Sequence, residues 1–278
     1  MVPVGPLDIA VGGASSVSRY DAVAYNSARM KTSATSIEDV DASVRRQSYA
    51  AAKNDIELLD RLILHINHGQ GVVSGRPHDL GVNLLGSFFL VRAFNSLWRA
   101  REDAVCGYYV EAFTLCRAAL EAWGCARWVE LHPESTNRWL WAFRKEKEGP
   151  IARLPSFEEI WKDLGTLGEF PRFAYDRLSK FAHSKSEGLA WLFQQTSSET
   201  RLLAGAHFDG RNLRDCLFLL ALVAQACLEP VARLQNQWLG QVDEMWLLKA
   251  REISKEAEIF IHGVEAQLAR ESAGPTAD

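Results

Sequence analysis

The chain has 278 residues, 47% hydrophobic and 24% charged, a balance that excludes a wholly disordered polymer. With 31 basic against 35 acidic residues the net charge is −4, which excludes a generally basic nucleic-acid binder, so any such contact must be local. The longest apolar run, Cys216 to Cys227 with one break at Gln225, falls short of the ~18 to 20 residues that span a bilayer.

Residues 1–35 are rich in Gly, Ser, Ala and Pro without a period and read as a flexible N-terminal arm. Met1 to Pro6 lack the basic-then-apolar order of a secretory signal, so a cytoplasmic protein with no membrane partner is expected. Ser36 with Asp39 resembles a capping box. It opens a long first helix in which Val40, Val44, Ile56, Leu59 and Ile63 recur at mostly three- to four-residue spacing until Gly69. After a loop to Pro77, Asp79 caps a second helix whose Leu80, Leu84, Phe88, Val91, Asn95 and Trp98 carry it to about Arg101.

A turn at Gly107 leads to a third helix, from about Tyr108 to Leu131. Its Tyr109, Phe113, Leu120, Trp123 and Trp128 leave no wide polar face, as expected of a helix surrounded by others. Further helices are expected from Pro133 to Gly149, from a Ser156 cap through Leu164, and from Phe170 to Ala182. The stretch Leu189 to Phe208 lacks helical period and suits a short hairpin. Asn212 to Leu239 is strongly apolar and helical. Val242 to about Ala269 is amphipathic, with Trp246, Ile253, Ala257, Phe260 and Val264 on one stripe. The pattern predicts one all-α domain over residues 36–240. Residues 241–278 then form an acidic amphipathic helix and tail, with 4 basic and 8 acidic side chains, suited to a partner surface.

Motifs for familiar cofactors are missing. Gly69 to Gly75 has the wrong spacing for a dinucleotide loop and follows a helix where a strand is required, and there is no Walker lysine loop. No cofactor is expected. His65 and His68, three apart with His78 and Asp79 nearby, read as last-turn histidines favoured by the helix dipole rather than as metal ligands. The five cysteines are widely spaced among apolar neighbours. Cys116, beside Arg117, therefore reads as a small buried hydrophobe, not as a nucleophile.

What remains is a set of polar residues in helical context. Arg117 and Glu121 are four apart in the most apolar helix, so they share a face and are expected to form an inward ion pair. Tyr175, Ser179 and His183 repeat at the same spacing. Residues 172–185, including Arg177 and Lys180, carry four basic groups against one acidic, a net +3 in an otherwise neutral domain.

The run from Gly107 to Glu121, followed by Tyr175 to His183, resembles bacterial helical proteins of the HEPN superfamily over about residues 80–240. That resemblance implies an HEPN-like helical bundle with additional N- and C-terminal helices, commonly dimeric. It also implies a metal-independent endoribonuclease of the toxin–antitoxin or phage-defence kind, marked by an Arg separated from a His by four to six residues. Arg177 and His183, with five between, satisfy the spacing, although Leu178 stands where active members usually carry a polar residue. On a regular helix Arg177 and His183 would sit about 120° apart, so they meet only if the helix ends early or two subunits share a site.

Under this reading His183 transfers the proton and Arg177 or Arg117 stabilises the phosphorane, with Glu121, Tyr175, Ser179 and Lys180 in support. The expected partners are RNA, a second copy of the chain, and an antitoxin or other partner protein. The alternative is a non-catalytic interaction protein in which the Arg, Glu, Ser and His residues form a structural hydrogen-bond network.

Overall fold

The computed structural model describes residues 36–72, 82–135, 155–165, 174–179, 193–195, 200–202 and 205–272. In chain order they form α1 (Ile37–Gly71), α2 (Val82–Val105), α3 (Tyr109–Leu131), a 3-10 turn (Pro133–Ser135), α4 (Phe157–Asp163) and α5 (residues 174–179). Next come β1 (Phe193–Gln195), β2 (Thr200–Leu202), α6 (Gly210–Leu239) and α7 (Glu244–Ser272). The fold is all-α. The strands form one three-residue antiparallel hairpin, Phe193 opposite Leu202, within the stretch that lacked helical period.

Local chemistry sets the element ends. The Ser36 hydroxyl accepts from the Asp39 amide, and Ser156 and Glu159 complete a reciprocal capping box at α4. The helix expected to start at Pro133 begins as a single 3-10 turn, and residues 136–154 lie outside the description. Asp79 and Leu80 also lie outside it, and α2 runs past Arg101 to Val105. Between α2 and α3, Gly107 adopts φ +85°, and a Cβ there would sit 2.1 Å from the His207 carbonyl oxygen, so conformation and space both require glycine.

Helix α3 is the centre, with Phe113, Leu120 and Trp123 at 1%, 0% and 5% exposure. It is surrounded by α2, α4 and α6. Inside α6, Pro230 cannot donate to the Ala226 carbonyl, and the Trp123 indole of α3 donates to that oxygen instead at 3.0 Å. Helix α6 is the one described helix long and apolar enough to cross a membrane. Of its most apolar window, 61% is buried inside the bundle.

Two polar clamps join distant elements. Buried Arg101 donates from Nε and Nη2 to both Asp60 carboxylate oxygens at 2.6 Å and from Nη2 to the Tyr49 hydroxyl at 2.5 Å, fixing α2 to α1. At the far end of α1, the His65 ring stacks on Trp246 of α7 with centroids 4.8 Å apart. His65 Nε2 lies 2.9 Å from the Trp246 carbonyl oxygen, and the Trp246 indole donates to the His65 carbonyl at 3.0 Å. His65 is thus occupied in packing. No group of metal-ligating side chains occurs among the described residues. All five cysteines are buried free thiols; burial pushes Cys116 well above the usual thiol range and Cys125 and Cys227 to about 12, and it raises Cys106 and Cys216 as well, which favours the thiol over the nucleophilic thiolate.

Candidate functional site

Helix α5 organises the polar residues singled out above. Ala174 and Leu178, four apart, are buried at 1% and 0% and mark the side of the helix that faces the core. At 100° per residue Tyr175 and Arg177 lie about 80° to either side of that strip, on opposite flanks of α5.

On the first flank Arg117 of α3 reaches Tyr175. Its Nη2 donates to the Tyr175 hydroxyl at 2.7 Å, its guanidinium carbon lies 4.7 Å from the ring centroid, and its Nε is 3.1 Å from Glu121 Oε1. The two charged side chains are 15% and 19% exposed, so the ion pair expected from their spacing is formed and mostly shielded from water. The Tyr175 ring is held in turn by Phe157 and Trp161 of α4, with centroids 5.8 and 5.7 Å away. Trp161 can lie this close to α3 because residue 124 is glycine, where a Cβ would meet its indole at 2.5 Å. Ser179 donates to the Tyr175 carbonyl at 2.7 Å, a bond inside α5 that uses its proton locally.

On the second flank Arg177 faces α6. It is half-buried and, among the described residues, makes no hydrogen bond or ion pair. Its charged neighbour is Asp215, and burial lowers its proton affinity against that attraction. Asp215 is 8% exposed and lies within the fields of Arg214, Arg211 and Arg177, yet burial still holds its carboxyl above the usual carboxylate range. Buried Arg214 pairs with Asp215 at 3.3 Å and with Glu271 of α7 at 2.9 Å. Exposed Arg211 acts on both acids.

The structure therefore brings Arg117, Glu121 and Tyr175 into one cluster and places Arg177 in another, so the two arginines proposed for one phosphate act on opposite flanks. His183 and Lys180 lie outside the described residues. The second cluster, Arg211, Arg214, Asp215 and Glu271, was not anticipated from the sequence. One legible mark was available: the first turn of α6, following the Asp209 cap, holds Arg211 and no acidic residue, against the preference of the helix dipole. A cation placed there adds its field to the helix N-terminus and favours anions.

No family model, curated protein or solved structure matches this chain. The site is therefore read from its own geometry.

Proposed function

We propose that the chain is an HEPN-like, metal-independent endoribonuclease in which Arg177 contacts the RNA phosphate and His183 moves the proton. The single observation carrying this reading is the contrast between the two arginines. Arg117 is engaged by Glu121 and Tyr175, whereas half-buried Arg177 makes no hydrogen bond among the described residues and keeps its donors for a ligand, with Asp215 of α6, on which Arg211 also acts, as its charged neighbour. Arg117 then serves as a positioning residue that fixes α5, with Glu121, Tyr175 and the aromatic pair Phe157 and Trp161 behind it.

In the reaction this supports, the ribose 2′-oxygen attacks the adjacent phosphorus while His183 takes its proton. The bond to the 5′-oxygen breaks, and the proton passes to that leaving oxygen, giving a cyclic 2′,3′-phosphate and a 5′-hydroxyl. The guanidinium stabilises the charge that builds on the phosphorane. The test is incubation of the full chain with total RNA in chelator. Cleavage by the wild type, lost in both H183A and R177A with the fold intact, is the expected result; RNA left whole by the wild type overturns the reading.

The Arg117 cluster also supports a second reading, a non-catalytic interaction protein. Arg117 is engaged by Glu121 within α3 and by Tyr175 of α5, and Phe88, Val91 and Trp98 of α2 are 46%, 46% and 40% exposed along one helical face. Under that reading H183A melts lower than wild type and no variant cleaves RNA.

A further inference from the structure

The geometry points to an internal competitor for the arginine site: Glu271, in the last turn of α7, occupies the place on Arg214 that an RNA phosphate would take. This inference rests on the reading of the Arg177 flank as the RNA-facing side. Arg214 Nη1 donates to Glu271 Oε1 at 2.9 Å and Nη2 to Oε2 at 3.4 Å, a two-pronged contact whose geometry a phosphate can reproduce. Arg214 is only 4% exposed, and both terminal nitrogens of its guanidinium are directed at Glu271 while Nε faces Asp215. Glu271 is 36% exposed, and Gln267 on the same helix donates to it at 2.9 Å.

Helix α7 is anchored along its length as far as Leu268, buried at 6%, so only the short end beyond it, which carries Glu271, can lift without the whole helix detaching. Its first half is fastened by the His65 and Trp246 clamp, and further along Arg61 of α1 grips Glu256 through both nitrogens at 3.0 and 2.5 Å. Glu271 lies one residue from the helix end at Ser272, where opening costs least. Residues 241–278 carry a net −4, so the segment is drawn toward the same cations that attract RNA. Lifting the last turn uncovers Arg214 beside Arg211 and Arg177. Bound RNA would hold it open.

The experiment measures binding of a short fluorescent single-stranded RNA by anisotropy, at fixed salt in chelator, in the full chain carrying H183A to prevent turnover. E271Q removes the competing charge and is expected to tighten binding by about three- to tenfold. E252Q makes the same change of net charge at an exposed site in the first half of α7, away from Arg214, and is expected to leave affinity unchanged. R211A and R177A are expected to weaken it. Unchanged affinity in E271Q, with weaker binding in R211A and R177A, overturns the competitor while leaving the RNA reading standing. Equal tightening in E252Q overturns it as a plain effect of net charge. Absence of binding in every variant, E271Q included, overturns both.

Discussion

Replacing Tyr175 by Phe removes one oxygen from the contact that joins α3 to α5. The ring stays, so its packing on Phe157 and Trp161 and the Arg117 guanidinium over its face are retained. What is lost is the 2.7 Å hydrogen bond donated by Arg117 Nη2. A bond to a charged group contributes about 1.5 to 3 kcal/mol, and the partial exposure of Arg117 lets water replace some of it, so a loss of about 1 to 2 kcal/mol is expected. For a chain of this size that lowers Tm by roughly 2 to 4 °C. The assay is urea unfolding followed by tryptophan fluorescence, with R117M and the double variant completing a cycle. Arg117→Met alone also strands Glu121, which is 19% exposed, so it should cost more than Y175F. The double variant should cost about 1 kcal/mol less than the sum of the two singles. Additivity within about 0.5 kcal/mol would show that Arg117 and Tyr175 act independently and would remove the positioning role assigned to Arg117.

Gly124→Ala sets a gain of about 1 kcal/mol in helix propensity against about 1 to 3 kcal/mol of overpacking. The clash should win, because the indole met at 2.5 Å belongs to Trp161, wedged by Trp123, Phe157 and Tyr175; a variant as stable as wild type refutes this. Arg101→Met leaves the Asp60 carboxylate and the Tyr49 hydroxyl without their partner and should cost about 2 to 3 kcal/mol in urea unfolding, with a loss under 0.5 kcal/mol counting against a clamp between α1 and α2. Burial holds His65 below the ordinary histidine value, so the unfolded chain takes up its proton first. This part of the stability is present above the unfolded value near 6.5, is lost as pH falls through it, and levels off below the folded value. His65→Phe keeps the stack on Trp246 and should flatten stability between about pH 7 and 5 relative to wild type, and identical pH slopes would contradict it.

The elements were legible in the sequence because their causes are local. The 3.6-residue apolar period, the Ser36 and Ser156 caps and the glycine at 107 act within a few residues of themselves, and the helices and turn appear where those marks stand. The Arg117 and Glu121 pair was legible for the same reason, being four apart on one helix. Tertiary packing decided the rest. The apolar spacing carries the second helix to about Arg101, yet α2 runs on to Val105, and Arg101 lies inside it with its guanidinium on Asp60, 41 residues away. Arg117 meets Tyr175 across 58 residues and Arg214 meets Glu271 across 57, and nothing in either local sequence names the partner. Tyr175 and Arg177 stand two apart in the run of residues 172–185 that carries a net +3. Any helix turns residues two apart to opposite flanks; what packing decides is that burial of Ala174 and Leu178 points the Tyr175 flank at α3 and α4 and the Arg177 flank at α6.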